Sequence, residues 1–145
     1  MTADNFSDIL KELIDATGLS LRQLGKLSKV SHVQYGKYLA GSYPTHKVAL
    51  RISNYFKVSF DYLFGVSTKN NYEPNRKINF TNFVSKYEKI LKQNNITHYK
   101  FVQEFDLSES CLRHWKYGNK PTIANLIIIA KNLYSSIDYL IGLTD

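Results

Sequence analysis

The chain has a single cysteine, Cys111, among its 145 residues, and only three prolines and seven glycines. One cysteine excludes an intramolecular disulfide framework and fits a reducing compartment. So few glycines and prolines argue against a loop-rich β-sandwich and against a glycine-rich phosphate-binding loop. No segment shows the alternation of apolar and polar residues that predicts a half-buried strand.

Long apolar runs are also missing. The longest extends from Leu126 to Ala130, far below the roughly 18 residues that suggest a membrane span. The first ten residues contain no basic segment followed by an apolar run, so no secretory signal is expected. These features predict a cytoplasmic protein without a membrane partner.

Apolar and basic side chains are plentiful. Hydrophobic residues make up 43% of the chain and aromatic residues 14%, which is enough to form a packed core. The 19 Lys and Arg residues outnumber the 12 Asp and Glu residues, for a net charge of +7. This balance favours a polyanionic partner, although charge alone is weak evidence for one.

The sequence repeats itself after 77 residues. Positions 5–68 align without a gap on positions 82–145, with 12 identical residues among 64. Such internal repetition predicts two copies of one structural unit. The expected organisation is a first domain at 1–66, an exposed linker at 67–79 and a second domain at 80–145.

Both copies show the apolar spacing of short amphipathic helices. In the first copy, five apolar residues from Phe6 to Ile14 recur at i, i+3, i+4, i+7 and i+8. Capping residues divide the rest of that copy into four more helices, with boundaries at Gly18, Ser20, Ser31, Gly41, Thr45, Ser59 and Gly65. In the second copy the expected helical segments are Phe83 to Gln93, Thr97 to Phe105, Ser108 to Tyr117, Thr122 to Leu133 and Ser136 to Ile141. The predicted fold class is all-α, with two tandem five-helix bundles joined by a short linker.

Residues at matching positions of both copies carry a family resemblance. The first copy has Leu19-Ser20-x3-Leu24, Val30-Ser31-x3-Tyr35-x2-Tyr38-x2-Gly41-x2-Pro44 and Ile52-x6-Ser59-x-Asp61-x-Leu63. The second has Ile96-Thr97-x3-Phe101, Leu107-Ser108-x3-Leu112-x2-Trp115-x2-Gly118-x2-Pro121 and Ile129-x6-Ser136-x-Asp138-x-Leu140. These patterns resemble the lambda-repressor-like helix-turn-helix family of the Cro/XRE type. The resemblance implies two helix-turn-helix domains in a transcriptional regulator from a bacterium or phage.

The two copies depart from the family where its helices 2 and 3 pack closest, a position usually held by Ala. Gly25 fits there but weakens the helix by roughly 1 kcal/mol relative to Ala. Val102 is expected to push the two helices of the second copy apart. The turn, commonly Gly in the family, is Lys29 in one copy and Asp106 in the other. The second copy is therefore expected to be the less typical DNA reader.

The resemblance places the second helix of the motif in the major groove, with its first residues against base edges. It implies that Tyr35 and Tyr38 face inward, that Gln34 bridges adenine N6 and N7, and that Val33 contacts a thymine methyl. The implied DNA-binding residues of the first copy are Arg22, Lys26, Lys29, His32, Val33, Gln34, Lys37, Ser42 and Tyr43. The alternative is that these residues form an ordinary solvated face.

The second copy offers a less favourable set. Its candidate DNA-binding residues are His98, Lys100, Glu109, Ser110, Arg113, His114 and Lys120. Arg113 suits guanine and Glu109 suits cytosine N4, but Asp106 and Glu109 oppose binding near phosphates. The alternative is that this copy is a dimerisation or partner surface.

Other chemistry has little support in the sequence. Cys111-x2-His114 with His98 is too few ligands for a metal site, and Cys111 lacks the histidine and orienting acid that a nucleophile needs. We predict no metal, no cofactor and no enzymatic activity. The aromatic residues Tyr55, Phe56, Phe60, Tyr62, Tyr134 and Tyr139 are assigned to packing in the core or an interface rather than to stacking on single-stranded bases.

These observations predict a sequence-specific regulator that binds double-stranded DNA through the third helix of the first domain. Repression follows by analogy only. The alternative is a protein–protein interaction adaptor, of antirepressor, antitoxin or inhibitor type, that uses the helix-turn-helix units as docking surfaces. The expected assembly is a homodimer held by the second copies, through exposed aromatics such as Tyr134 and Tyr139. The alternative assembly is a monomeric pseudo-dimer in which both copies bind one asymmetric site.

Overall fold

A computed structural model describes residues 5–144, and within that range the chain forms ten helices and no strand. The all-α fold class predicted from the sequence is confirmed. The chain divides into two compact units, Met1–Pro74 (unit 1) and Asn75–Asp145 (unit 2). The division falls inside the predicted linker, and the domain limits given above stay predictions.

Every helix of unit 1 begins after a capping side chain. The helices are α1 (Phe6–Thr17), α2 (Leu21–Ser28), α3 (His32–Leu39), α4 (His46–Phe56) and α5 (Phe60–Leu63). The side-chain oxygens of Asn5, Ser20, Ser31, Thr45 and Ser59 each accept a backbone N–H of the first turn. Each such bond is worth about 1 kcal/mol. These starts confirm the boundaries expected at the serines and at Thr45.

Two of these caps are reciprocal capping boxes built on a Ser-x2-Gln pattern. At α2, the Ser20 N–H donates to Gln23 Oε1 (2.9 Å) and the Gln23 N–H donates to Ser20 Oγ (3.2 Å). At α3, the Ser31 N–H donates to Gln34 Oε1 (3.1 Å) and the Gln34 N–H donates to Ser31 Oγ (3.1 Å). The start of each helix is thereby held by two bonds rather than one.

All five helices of unit 1 contribute side chains to its core. Leu10, Leu24 and Ile52 are fully buried, and burying each such side chain stabilises the fold by about 1.5–3 kcal/mol. The rings of Phe6 and Phe64 lie 4.8 Å apart between centroids. This core packs α3 against α1.

Unit 2 repeats the helix order of unit 1 at the 77-residue offset. Its helices are α6 (Phe83–Gln93), α7 (His98–Glu104), α8 (Cys111–Lys116), α9 (Ile123–Asn132) and α10 (Ile137–Leu140). Four of the five begin 77 residues after their counterparts, and α8 does not. The matching order supports an internal duplication, which stays a prediction.

The start of α8 corrects the sequence prediction. A helix was expected from Ser108, but α8 begins at Cys111, and Glu109 and Ser110 form a turn before it. Ser108 caps nothing, since its Oγ lies 2.9 Å from Ser110 Oγ. Cys111 occupies the position that Gln34 holds in unit 1, so no side chain is present to complete a capping box.

An aromatic cluster forms the core of unit 2. Tyr87 and Phe101 are fully buried, and the Trp115 ring lies 5.3 Å from Tyr87 and 5.2 Å from Phe83 between centroids. The segment before α6 is tied to the end of α10, because the Asn79 N–H donates to the Ile141 carbonyl at 2.7 Å. Gly142 permits this approach, since a Cβ there would lie 2.8 Å from the Asn79 oxygen.

The aromatic residues assigned to packing have different fates. Phe60 is buried, and Tyr55, Phe56 and Tyr62 are partly buried. Tyr134 is 91% exposed, which excludes it from the core, and its assignment to an interface stays a prediction. Tyr134 lies in the turn between α9 and α10 with φ +52°, and its side chain points away from the core.

The first half of the predicted linker is bound to unit 1. Asn70 Oδ1 accepts the Ser59 N–H at 2.9 Å, and Asn70 Nδ2 donates to the Lys57 carbonyl at 2.9 Å. The Tyr72 hydroxyl donates to Asn54 Oδ1 at 3.0 Å. No helix among residues 5–144 is long and apolar enough to cross a membrane.

Candidate DNA-binding interface

The α2–α3 pair of unit 1 is closely packed around Gly25. A Cβ at this position would lie 2.9 Å from the Val30 carbonyl oxygen and 3.3 Å from the His32 nitrogen. The turn between the helices passes through Lys29 in a left-handed conformation (φ +62°) and the fully buried Val30. The close approach therefore favours glycine at position 25. The sequence analysis counted this glycine only as a loss of helix propensity relative to the alanine of the family.

The two faces of α3 are clearly divided. Tyr35 and Tyr38 are 0% and 6% exposed, so their predicted inward orientation is confirmed. Burial raises the pKa of the Tyr35 hydroxyl, which donates to Ser28 Oγ at 2.6 Å. His32, Val33 and Lys37 are exposed on the opposite face, and Gln34 is half-buried beside them. The side chains predicted to contact bases are thus gathered along one face.

Basic side chains surround this face. Arg22, Lys26 and Lys29 are exposed, and the first two line a shallow concavity with Gly25, Ser31 and His32. Arg51 of α4 donates to the Lys29 carbonyl at 3.4 Å, which adds a further positive charge behind the turn.

The predicted contacts after α3 are also accessible. The Ser42 N–H donates to the Lys37 carbonyl at 3.1 Å, and this bond holds Ser42 close to the end of α3. Tyr43 is 46% exposed and its ring lies 5.9 Å from that of Phe6. Contact of any of these residues with DNA stays a prediction.

The region has no acidic residue. Residues 16–60, which include α2, α3 and α4, contain seven Lys or Arg residues and no Asp or Glu. The counterpart region of unit 2, residues 93–137, contains five Lys or Arg residues and three acids, Glu104, Asp106 and Glu109. This difference in acidic residues is visible in the sequence when the motif is counted by itself. It is lost when charges are summed over whole domains.

The candidate residues of unit 2 are more scattered. Arg113 and His114 are exposed in the last turn of α8, while Glu109 and Ser110 lie in the turn before it. Lys100 is exposed, and the Lys120 ammonium lies 5.6 Å from the centroid of the Phe80 ring. Because α8 is shorter than α3, these side chains do not form one continuous helical face.

His98 points into unit 2 rather than to solvent. Its Nδ1 lies 2.7 Å from the Tyr87 hydroxyl, and its Nε2 is buried without a hydrogen-bond partner. Burial lowers the pKa of His98 and favours the neutral ring. In this conformation neither ring nitrogen is available to a DNA phosphate, contrary to the expectation for this residue.

Cys111 is buried, and burial raises the pKa of its thiol. A protonated, buried thiol is a poor nucleophile. Within the part of the chain that the structure describes, no three His, Cys, Asp or Glu side chains are grouped so as to hold a metal ion.

Two features of the site were overlooked in the sequence. The first is the absence of Asp and Glu from residues 16–60, which a count of charged residues over the motif alone would have found. The Ser-x2-Gln pattern at Ser20 and Ser31 is a recognised capping-box spacing, and it assigns a structural task to the oxygens of Gln23 and Gln34.

A family model described as helix-turn-helix matches residues 10–63. The match runs from α1 to α5 and lies within unit 1. No curated protein and no solved structure gives a significant match to the chain. The family match supports DNA binding and transcriptional regulation, and it locates the motif in the unit whose α2–α3 pair is closely packed and basic.

Proposed function

Because residues 10–63 match the helix-turn-helix family, we propose that unit 1 binds double-stranded DNA sequence-specifically and that the chain represses transcription. In this proposal α3 enters the major groove. The acid-free segment 16–60, with its seven basic side chains, is the observation that carries it. Phosphate binding releases condensed counterions, and acids on the contact face would oppose it. A protein bound to a promoter represses transcription because it excludes other proteins from that DNA.

The proposal divides the basic residues by role. Arg22, Lys26 and Lys29 neutralise phosphates and fix the position of the unit on the duplex, whereas α3 presents the side chains that distinguish bases. Replacing Lys29 by alanine is expected to weaken binding to all sequences alike and to lower the salt slope by about one unit. Replacing Val33 is expected to alter preference at one base pair.

Selection of bound sequences from a random duplex library tests this function. The expected result is a consensus site whose binding falls steeply as salt is raised. A population of bound duplexes without a consensus would contradict sequence-specific recognition. Binding insensitive to salt would contradict the phosphate contacts and favour the adaptor function.

We propose a different role for unit 2, namely assembly of a homodimer. Support comes from its three acids at the motif and from the exposure of Tyr99 (61%), Tyr117 (82%) and Tyr134 (91%). Exposed aromatic side chains of this size are typical of interface anchors. The partner is a second copy of this chain, since helix-turn-helix proteins pair to bind half-sites about 34 Å apart.

Light scattering coupled to gel filtration measures this assembly directly. A dimer at micromolar concentration that dissociates in the Tyr134→Ala variant is the expected result. A monomer both free and on the operator would contradict the homodimer and support a pseudo-dimer in which both units contact one asymmetric site. The Tyr43→Ala variant, changed in an exposed tyrosine of unit 1, is the control.

A further inference from the structure

The two side-chain amide oxygens of the α2–α3 region already accept backbone N–H groups of the protein. Residues 16–53 contain no Asp, Glu or Asn, and their only amide side chains are Gln23 and Gln34. Gln23 Oε1 accepts the Ser20 N–H at 2.9 Å, and Gln34 Oε1 accepts the Ser31 N–H at 3.1 Å. Because a backbone N–H can only donate, the amide atom facing it must be the oxygen. Both amides therefore turn their NH2 groups away from the cap.

Gln34 is the amide that α3 carries on its DNA-facing side, three residues after its cap. An amide with both ends free pairs with adenine by accepting from N6 and donating to N7. With one lone pair of Oε1 used by the Ser31 N–H, Gln34 keeps both hydrogens of Nε2 but only one acceptor position. Guanine presents two acceptors in the major groove, N7 and O6, whereas adenine presents one acceptor and one donor.

We propose that Gln34 contacts the base through the hydrogens of Nε2 and selects guanine at the base pair it faces. The inference rests on the proposed function and specifies which base edge that site recognises. To select adenine, Oε1 would have to accept from adenine N6 with its second lone pair while holding the Ser31 N–H, or release that N–H and leave it without a partner at the start of α3. Guanine makes no demand on Oε1. The neighbouring Lys37 is a donor without acceptor capacity.

Three variants separate the two chemistries of the amide. Gln34→Glu keeps an oxygen for the Ser31 N–H, because glutamate is a standard capping-box residue at this position, but it removes the donor. Gln34→Lys removes the cap acceptor and keeps a donor, and lysine itself pairs with guanine. Gln23→Glu is the matched control, since it makes the same change at the same position of the other capping box.

Selection from a random duplex library is carried out with the wild-type chain and each variant. The wild type and Gln34→Lys should both select guanine at one shared position, and Gln34→Glu should lose about fivefold to a hundredfold of that preference. Gln23→Glu should bind all sequences more weakly and keep the preference. Replacing this guanine by 7-deazaguanine, which lacks N7, should weaken the wild type several-fold and leave Gln34→Glu unchanged. Circular dichroism verifies that each variant is folded.

Two results would overturn the inference while leaving the proposed function intact. One is selection of adenine at the Gln34-dependent position, with affinity lost when the adenine is replaced by a purine lacking the exocyclic amine. The other is an unchanged consensus in all Gln34 variants. If instead the wild type selects no consensus at all, the proposed function itself fails, and the guanine inference fails with it.

Discussion

The α2–α3 pair of unit 1 and the α7–α8 pair of unit 2 follow the same spacing but differ at the point of closest approach. Gly25 lets α2 lie against the backbone that starts α3, where even a Cβ would lie 2.9 Å from the Val30 oxygen. Its counterpart Val102 is buried, and α8 begins two residues later than the offset predicts. In unit 2, the branched side chain of Val102 therefore occurs together with an α8 that lacks the first two residues of its counterpart α3.

The two helix pairs also differ in charge. Lys29 and His32 of unit 1 correspond to Asp106 and Glu109 of unit 2. Unit 1 therefore combines a complete α3, held by a capping box, with a segment, residues 16–60, that contains no Asp or Glu. Unit 2 has neither feature, which is why we propose that unit 1 recognises DNA.

The largest expected effect comes from replacing Gly25 of unit 1 by valine, the residue that unit 2 has at the matching position 102. Gly25→Val should lower the free energy of unfolding by about 1–3 kcal/mol, since its Cβ and methyls cannot fit against the Val30 carbonyl without backbone movement. Urea unfolding followed by circular dichroism measures the change.

Gly36→Ala is the control for Gly25→Val, because a Cβ at Gly36 has nothing within 4 Å. It should leave the stability unchanged or raise it by up to about 1 kcal/mol through helix propensity. If both variants behaved alike, the close approach at Gly25 would not limit the packing of unit 1.

A smaller effect distinguishes Ser31, which precedes α3, from Ser108, which precedes α8. Ser31→Ala removes one bond of a capping box and should cost about 1 kcal/mol. Ser108→Ala should cost almost nothing, because the Ser108 side chain contacts only Ser110 Oγ at an exposed turn. Chemical unfolding of the two variants measures both costs. Equal losses would mean that Ser108 caps α8 in solution.

The smallest effect is a pH dependence confined to unit 2. His98 faces Tyr87 within the unit, and Glu88 and Lys116 are the charged groups that act on it. Burial lowers its pKa in the folded state, so the unfolded chain binds the proton more tightly. The stability of unit 2 should fall as the pH drops below the unfolded pKa of about 6.5 and recover as it rises above that value.

Fluorescence of Trp115, the single tryptophan of the chain, follows the unfolding of unit 2 at each pH. In His98→Leu, which introduces the residue that unit 1 has at the same position, the contribution of His98 to this pH dependence should vanish. A wild-type stability that did not change between pH 5 and pH 8 would contradict the burial of His98.

Local features of the fold were predictable, and features that depend on distant contacts were not. The starts of α2 and α3 follow from Ser20 and Ser31, because a capping residue acts within three positions of itself. The late start of α8 was missed because Ser108 has the residue type of a cap, but its Oγ lies against Ser110 Oγ instead of a backbone N–H of the helix. The inward orientation of His98 depends on Tyr87, eleven residues earlier on another helix, and no short pattern indicates that pairing.

The candidate site divides in the same way. Family spacing indicated which side chains lie on the outer face of α3, and their exposure agrees with it. The direction of the Gln34 amide was not foreseen, because its oxygen is bound to a backbone N–H that a list of base-reading side chains omits. The sequence contained the signal in its repeated Ser-x2-Gln spacing.

The salt dependence of binding to the selected duplex tests most directly whether unit 1 alone provides the DNA contacts. Two triple variants remove the same positive charge: Arg22→Ala, Lys26→Ala and Lys29→Ala in unit 1, and Lys100→Ala, Arg113→Ala and Lys116→Ala in unit 2. The account predicts that the first set lowers the slope of log affinity against log salt by about three units per bound chain, and that the second leaves the slope unchanged. Equal decreases for the two sets would contradict it and show that both units neutralise phosphates.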